Sequence, residues 1–250
     1  MQNTTRKAKL SEIFSSFQGE GLYTGERMTF IRFGTCSLGC RYCDTPQGIC
    51  SQKNCRIEKP AGSGNFVRLE NPFSSKRLNE ILENFSDDTI SITGGEPLEQ
   101  SDFLLEWLPT LNSEKRVLLE TNGLHDLSLQ AILPFVNVVS MDVKLPSSTG
   151  RAAAWDEHAR FLGKSMASGK ETYVKMVVTS KTSDHDIESA IKLLTTVNKY
   201  IPTFIQPASR TLKFQDCVSA ERLESVKRLC GAYLHDVKVQ PQMHKQWGVL

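Results

Sequence analysis

Short runs of apolar and β-branched residues recur along the chain, and polar segments with helical periodicity lie between most of them. The apolar runs occupy residues 28–34, 89–93, 116–121, 136–143, 172–179, 203–207 and 236–240. Several are apolar at nearly every position, which is typical of strands covered on both faces of a parallel sheet. The pattern therefore predicts buried parallel strands at these places.

Helical spacing of apolar residues separates several of these runs. Ser101 and Ser183 precede such segments and are predicted to cap helices. In the segment that follows Ser183, Ile187, Ile191 and Leu194 share one face. The same spacing predicts helices over residues 75–85, 101–111, 183–200 and 219–234.

Alternation of strands and helices predicts an α/β fold with a parallel sheet. About six βα units are too few for a closed eight-stranded barrel. We therefore expect a partial, open TIM-like βα barrel of about six parallel strands. In parallel barrels the functional side chains lie at the carboxyl ends of the strands.

The length of 250 residues, 39% of them hydrophobic, suits one domain that spans residues 1–250. Residues 47–71 interrupt the periodic pattern with Pro60, Gly62, Gly64 and the cysteines Cys50 and Cys55. We expect an irregular excursion there, which either caps the site or forms a surface loop.

Charge and hydropathy narrow the choice of partners and compartment. The net charge is only +2, which predicts neither a nucleic-acid surface nor a membrane surface. No apolar run reaches the roughly 18 residues of a membrane span, and the amino-terminal segment lacks the apolar core of a secretory signal. A cytoplasmic location is expected, where seven cysteines favour metal or redox chemistry over disulfides.

Three cysteines follow the first predicted parallel strand: Cys36, Cys40 and Cys43. Together they span eight residues. Structural zinc sites and ferredoxin clusters usually take four protein ligands, so three thiolates leave one coordination position open. A zinc site that borrows Cys50, Cys55 or a histidine is the alternative. Cys50 and Cys55 are either loop thiols or ligands of a second cluster, and Cys217 and Cys230 are expected in the core.

The C-x3-C-x2-C spacing, with the aromatic Tyr42 before the last cysteine, resembles the radical S-adenosylmethionine (SAM) superfamily. The resemblance implies a partial barrel of the radical SAM type and a [4Fe–4S] cluster on the three cysteines. The amine and carboxylate of SAM would occupy the open iron, and SAM cleavage would supply a 5'-deoxyadenosyl radical.

The resemblance extends to "TGGEP" at residues 93–97, which meets the SAM amine in that superfamily, and to polar residues that end three further predicted strands. Such side chains, together with Thr121 and Asn122, could hold the ribose, carboxylate and adenine. The expected SAM contacts are Tyr42, Asp44, Gly94, Gly95, Glu96, Glu120, Asp142, Val143, Lys144, Gln206 and Ser209.

Within that superfamily, "FQGEG", an arginine on the strand before the cysteines, "CRYCDT" and a His–Lys pair near the last residue resemble the 7-carboxy-7-deazaguanine synthase family. The resemblance implies a carbon–nitrogen lyase that converts 6-carboxy-5,6,7,8-tetrahydropterin to 7-carboxy-7-deazaguanine with loss of ammonia. Queuosine and other 7-deazapurines lie downstream, and the sequence leaves the final product open.

The family also implies particular residues. Thr45 would hold Mg²⁺, and Arg32 would pair with the substrate carboxylate. The expected substrate contacts are Phe17, Gln18, Gly19, Glu20, Arg32, Thr93, His244 and the terminal carboxylate of Leu250. A flavodoxin or ferredoxin would donate the electron, and a homodimer is expected.

Two other functional classes remain open from the sequence. A glycyl-radical activating enzyme would share the cysteine loop and the "GGE" strand but would dock a protein in place of a pterin. A non-catalytic metal-binding module would hold zinc in place of an iron–sulfur cluster.

Overall fold

The computed structural model describes residues 6–45 and 53–250, so Cys50 and the first part of the expected excursion lie outside the described residues. The strands are β1 (Lys7–Ala8), β2 (Leu10–Phe17), β3 (Arg27–Phe33), β4 (Asn54–Glu58), β5 (Phe66–Glu70), β6 (Phe73–Ser74), β7 (Thr89–Gly94), β8 (Arg116–Thr121), β9 (Val138–Asp142), β10 (Glu171–Val178), β11 (Thr203–Pro207) and β12 (Val237–Val239). The helices are α1 (Ser75–Leu82), α2 (Ser101–Trp107), α3 (Asp126–Ile132), α4 (Pro146–Thr149), α5 (Trp155–Ala167), α6 (Asp184–Asn198), α7 (Ala220–Gly231) and α8 (Met243–Trp247).

Ten of the strands form one sheet in the order β12-β11-β10-β9-β8-β7-β3-β2-β4-β5. All neighbours from β3 through β7 to β12 pair in parallel, whereas β2 runs antiparallel to β3. Within residues 6–45 and 53–250 the first and last strands of the order do not pair, so the sheet is open. The prediction of an open βα barrel is confirmed, with one parallel strand more than the expected six or so, because the short edge strand β12 joins the run.

The inward-facing side chains of β8, β9 and β10 change character along each strand. Near the amino ends, Leu118, Val138 and Tyr173 pack in a small buried cluster with Phe14 and Phe30. Because side chains on one face of a strand recur every two residues, the same face carries charged groups further along. Those groups are Glu120, Asp142 and Lys175. The interior is therefore apolar at one end and charged at the other.

The helices cover the outer face of the sheet, and the large core lies between the two. Ser183 caps α6, as predicted, by accepting a hydrogen bond from the Asp186 N–H. Ser101, however, is the first residue of α2 and not its cap, because a 3₁₀ turn at Pro97–Gln100 runs directly into the helix. Cys230 is buried in the core as expected, whereas Cys217 is exposed, so the expectation for Cys217 is wrong.

The expectation of an irregular segment is wrong for residues 54–70, where β4 and β5 form an antiparallel hairpin. Strand β4 extends the sheet by pairing in parallel with β2, and alternate side chains, including those of Cys55 and Ile57, are buried. The turn is held by Glu58, whose carboxylate accepts from the N–H groups of Gly62 and Gly64. The prolines and glycines thus mark a hairpin turn, and the short period-2 pattern beside them is the stronger signal.

None of the helices in the described ranges is both long and apolar enough to cross a lipid bilayer.

Candidate active site

A cavity of about 560 Å³ lies at the carboxyl ends of the parallel strands, a size typical of small-molecule sites. Its lining joins residues that are far apart in the sequence. Of the residues predicted as site residues, it contains Phe17, Gln18, Gly19, Glu20, Arg32, Cys36, Cys40, Tyr42, Cys43, Asp44, Thr45, Thr93, Gly94, Gly95, Glu120, Asp142, Lys144, Gln206, Ser209, His244 and Leu250. Glu96 and Val143 are the two predicted residues that do not line it.

The cysteine loop follows β3 and presents three half-buried thiols to the cavity. Several hydrogen bonds hold its backbone: the Cys43 N–H donates to the Cys40 carbonyl at 3.1 Å, and the Arg151 Nε donates to the Gly39 carbonyl at 3.0 Å. The Ser37 N–H and hydroxyl both donate to Glu99. The loop is thereby tied to two neighbouring segments.

The donor set suits an iron–sulfur cluster. Burial raises the pKa of the Cys36 and Cys43 thiols, so thiolates at these positions need a bound cation to offset the loss of solvation. Across residues 6–45 and 53–250, no three Cys, His, Asp or Glu side chains converge on a point that would hold a single metal ion. All three thiols line one cavity, as the predicted cluster requires.

The "TGGEP" segment lies where β7 ends, beside the cysteine loop. Gly94 has a φ of +105°, and a Cβ there would lie 2.5 Å from the Phe33 backbone nitrogen, so only glycine fits. The Gly95 N–H donates to the Phe33 carbonyl at 2.9 Å. The close approach of two backbones leaves Thr93 and both glycines facing the cavity.

Glu96 is fully buried behind this segment and serves the backbone. Its carboxylate accepts from the Asn122 N–H at 2.7 Å, from the Thr121 hydroxyl at 2.8 Å and from the Leu98 N–H at 3.0 Å. Burial raises its pKa to about 7 in spite of these hydrogen bonds. Its position therefore supports a role in holding the end of β8 and not the predicted SAM contact. Val143 is likewise buried, and its N–H donates to the Lys175 carbonyl.

The "FQGEG" loop places Glu20 in the cavity and fixes it from three sides. The Glu20 carboxylate accepts from Gln242 Nε2 at 2.7 Å and from Lys175 Nζ at 2.5 Å. Gln18 is buried and braces the loop: its side-chain oxygen accepts from the Glu20 N–H at 3.1 Å, and its Nε2 donates to Glu120 at 3.0 Å. The side-chain amide of Gln18 therefore uses one of its two donors and one of its two acceptor sites within the protein.

The segment that contains α8 packs on the same loop through Gly19. A Cβ at Gly19 would lie 2.2 Å from His244 Nδ1 and 2.5 Å from the His244 backbone nitrogen. The Met243 N–H donates to the Gly19 carbonyl at 2.9 Å, and the Ser16 hydroxyl donates to the Leu250 backbone oxygen at 2.9 Å. The glycine of "FQGEG" thus lets the last helix reach the cavity.

Thr45, predicted to hold Mg²⁺, and Asp44, predicted as a SAM contact, are neighbours in the cavity lining. Lys245 Nζ donates to Asp44 at 2.6 Å, and Gln242 Nε2 donates to it at 2.9 Å. Burial opposes ionisation of Asp44, but Lys245 and Gln242 outweigh it and lower its pKa to about 2. A fixed carboxylate therefore stands beside the Thr45 hydroxyl, which is a set of hard oxygen donors.

Five cavity residues with important contacts were not among the predicted site residues: Glu12, Arg56, Lys175, Gln242 and Lys245. Glu12 accepts from Arg56 Nη1 at 2.8 Å and lies 3.6 Å from Arg32 Nε, so the hairpin contributes to the site. Lys175 had a signal, because it is the one charged residue in the apolar run 172–179. Gln242 gave no such indication, since a polar residue near a chain end is ordinarily solvated, whereas Lys245 belongs to the His–Lys pair that carries the family resemblance.

Comparison with known proteins agrees with this geometry. The sequence pattern of the radical SAM superfamily matches residues 30–194. The 7-carboxy-7-deazaguanine synthase of Geobacter sulfurreducens is 39% identical over 249 residues, which cover 97% of this chain and 98% of that protein. The synthase of Methanopyrus kandleri is 36% identical, with 94% of this chain and 91% of that protein covered.

Among solved structures, QueE from Escherichia coli has a similar fold, with a TM-score of 0.61 at 21% identity and coverage of 94% of both chains. The similarity to the two synthases extends over nearly their full length. The chain therefore belongs to the radical SAM superfamily and, within it, to the 7-carboxy-7-deazaguanine synthase family.

Proposed function

We propose that this chain is a carbon–nitrogen lyase that converts 6-carboxy-5,6,7,8-tetrahydropterin to 7-carboxy-7-deazaguanine with loss of ammonia, a step towards queuosine and other 7-deazapurines. One observation carries the proposal: a single cavity holds the three cysteine thiols together with Glu20, Arg32 and His244. The three thiols suit the cluster that binds SAM. Glu20, Arg32 and His244 suit a small ring that bears a carboxylate.

Cys36, Cys40 and Cys43 would hold a [4Fe–4S] cluster, which would supply the electron for the reductive cleavage of SAM to methionine and a 5'-deoxyadenosyl radical. The protein's task is to bind and orient the reactants. The backbone of Gly94 and Gly95 faces the cluster loop, where it suits the amine of SAM. The remaining proposed SAM contacts are Tyr42, Asp44, Glu120, Asp142, Lys144, Gln206 and Ser209, which all line the cavity.

The proposed pterin side is formed by Glu20, Arg32 and His244, together with Phe17, Gln18, Gly19, Thr93 and Leu250. Arg32 is 22% exposed, its guanidinium carbon lies 5.2 Å from the centre of the Phe14 ring, and its ion-pair partner among the described residues is Glu12, at 3.6 Å. A guanidinium can form a bidentate pair with the substrate carboxylate while it contacts an aromatic ring. Thr45, with Asp44 beside it, is the proposed protein ligand of Mg²⁺, which would orient the substrate.

A glycyl-radical activating function, the sequence alternative, finds less support. Such an enzyme must admit a protein segment. This cavity instead contains a buried group of charges, in which the Lys175 ammonium lies within 4 Å of the carboxylates of Glu20, Glu120 and Asp142. Paired buried charges at close range suit a small polar ligand that replaces water.

The electron donor, compartment and assembly are also proposals. Arg41 and Arg151 are exposed beside the cysteine loop and form no ion pair with any carboxylate in the part of the chain that the structure describes, which suits an acidic carrier such as flavodoxin or ferredoxin. A cytoplasmic location follows from the dependence on a reduced cluster and such a donor. The proposal of a homodimer rests on the family resemblance alone.

Incubation of the anaerobically reconstituted protein with SAM, dithionite, Mg²⁺ and 6-carboxy-5,6,7,8-tetrahydropterin tests the function. The expected product has the mass of 7-carboxy-7-deazaguanine, and its formation should depend on all four components. Production of 5'-deoxyadenosine without any loss of the pterin would contradict the proposal. A cluster-free preparation is the matched control.

A further inference from the structure

Lys175 is a buried cation that the function above does not use. It lies on β10 with 6% of its side chain exposed, and its Nζ faces three carboxylates from three other segments. The distances are 2.5 Å to Glu20 Oε2, 3.7 Å to Glu120 Oε2 and 3.8 Å to Asp142 Oδ1. An ammonium so far from water is tolerated only with such partners.

Of the three carboxylates, Glu20 depends most on Lys175. Glu120 has other donors, since it accepts from Gln18 at 3.0 Å and from the Ser91 hydroxyl at 2.8 Å. Asp142 pairs with Lys144 at 2.8 Å. Glu20 has Lys175 as its only directly bonded cation among the described residues. Removal of the ammonium therefore affects Glu20 first.

The two oxygens of Glu20 each receive one donor from the protein. Oε2 accepts from Lys175, and Oε1 accepts from Gln242 Nε2 at 2.7 Å. A carboxylate has about two acceptor sites on each oxygen, so one site on each remains. Because Glu20 lines the cavity, the remaining sites suit two adjacent N–H donors of a ligand, as a carboxylate receives the paired N–H groups of a guanidinium. The 2-amino group and N3–H of a pterin form such an edge.

We propose that Lys175 is a positioning residue that holds Glu20 as a two-oxygen acceptor for the adjacent N–H donors of the substrate ring, and so sets the preference for a 2-amino ring over a 2-oxo ring. This inference rests on the proposed function, because it takes a carboxylated pterin as the substrate. Lys175 acts through Glu20 and does not contact the reacting atoms.

The charges around Glu20 agree with this role. Burial alone would raise the pKa of Glu20, but Lys175 and the Gln242 hydrogen bond lower it below its usual value, against a small opposing effect of Asp44. The other titratable neighbours are Glu120, Asp142, His244 and Tyr173. Without Lys175, burial favours the protonated acid. A carboxylic acid turns one acceptor into a donor, which opposes a ring edge made of donors.

The test compares two probes, 6-carboxypterin and 6-carboxylumazine, which differ in a 2-amino against a 2-oxo group. Their affinities are measured by fluorescence titration of the reconstituted enzyme with SAM and Mg²⁺ bound. The unmodified enzyme is expected to prefer the pterin by about 100-fold or more, because a site built for a donor rejects a ring that lacks it. In Lys175→Met, affinity for the pterin should fall about 100-fold, as on removal of one partner of a buried charge pair.

The affinity for 6-carboxylumazine should fall much less. The preference of Lys175→Met for the pterin over the lumazine should therefore shrink to within about tenfold. The affinity for SAM should change less than threefold. A merely structural role for Lys175 would weaken both probes and SAM together, and would overturn the proposal. Lys164→Met is the matched control. Lys164 does not line the cavity, and its Nζ lies 2.6 Å from the Asp126 carboxylate. The substitution should leave the preference for the pterin unchanged.

A double-mutant cycle with Glu20→Gln separates an action through Glu20 from an independent one. If Lys175 acts through Glu20, the double variant binds 6-carboxypterin no more weakly than Glu20→Gln alone. Losses that multiply would contradict the proposal. The double variant also removes both charges of the close pair, so it provides the comparison if Lys175→Met alone does not fold.

The same titration separates the two levels of inference. Failure of the unmodified holoenzyme to bind 6-carboxypterin counts against the proposed function. Normal binding with an unchanged preference in Lys175→Met counts against the role of Lys175 alone.

Discussion

The two sides of the cavity are built in different ways. On the cluster side, three thiols come from one loop of eight residues, between Cys36 and Cys43, and the chemistry is visible in a local motif. On the pterin side, Glu20 is fixed by Lys175 and Gln242, which lie 155 and 222 residues away in the sequence. A local motif can be recognised by its spacing, whereas a site made of distant residues depends on the whole fold.

The difference predicts how each side fails. Loss of a thiol should remove the cofactor and leave the fold of the pterin side in place. Loss of a contact on the pterin side should leave the cluster and SAM cleavage intact while substrate binding fails. The following changes test this separation, from the largest expected effect to the smallest.

Cys40→Ala should abolish product formation, because only two thiolates of the loop remain for the cluster. Iron content and the visible absorption of the reconstituted protein should fall to background, while far-ultraviolet circular dichroism stays unchanged. Cys217→Ala, which changes an exposed cysteine, is the matched control and should retain the cluster. A brown, active Cys40→Ala protein would disprove the assignment of the loop.

Arg32→Ala should lower kcat/KM for the carboxylated pterin about 1000-fold, because a buried bidentate pair with the substrate carboxylate is lost. Formation of 5'-deoxyadenosine without pterin should stay within a few-fold of the unmodified enzyme. Arg68→Ala, on the exposed face of the hairpin, is the control. Parallel loss of SAM cleavage in Arg32→Ala would show that the two sides of the cavity are not separable.

Gly19→Ala should raise the KM for the pterin about 10- to 100-fold, with little change in SAM affinity. The new Cβ would meet His244 at both its ring and its backbone, so α8 must move away from the cavity. Faster cleavage of the segment after residue 240 in limited proteolysis would report that movement. Gly163→Ala, where a Cβ meets nothing within 4 Å, should leave KM and proteolysis unchanged. A normal KM in Gly19→Ala would remove the reason given for that glycine.

The smallest effect concerns stability and comes from His158, which lies behind the strand ends that carry Asn122 and Lys144. Its Nε2 lies 3.1 Å from the Asn122 backbone carbonyl oxygen and 3.3 Å from the Lys144 backbone nitrogen. Burial lowers the pKa of His158 to about 4. Between pH 6.5 and 4 the unfolded chain therefore binds the extra proton and the folded chain does not.

The free energy of unfolding should consequently fall by about 2–3 kcal/mol as the pH is lowered from 6.5 to 4, with no contribution from His158 above that window. Urea unfolding of His158→Gln over this range should show a shallower dependence. The exposed His185→Gln should behave like the unmodified protein. An identical pH dependence in His158→Gln would contradict the buried, neutral histidine.

Much of the fold could be predicted because most of its parallel strands can be recognised from short runs of apolar residues. The runs at β7, β8 and β11 are apolar and bounded by turns, and their predicted ranges differ from the observed ones by at most one residue. The hairpin of β4 and β5 was missed because its prolines and glycines obscure five-residue strands. The direction of the Glu96 side chain could not be predicted, because a motif gives a residue's position in the chain but not which way its side chain turns.

The sequence by itself determined the parallel βα order, the cysteine loop and the family, since each can be recognised from short motifs whose own residues lie close together in the chain. Only the tertiary structure decided that Lys175 and Gln242 hold Glu20, that Gly19 admits His244 and that Arg56 reaches Glu12. The physical reason is that charges in a low-dielectric interior are governed by distances of a few ångströms. Those distances join strands that are brought together only when the sheet has formed.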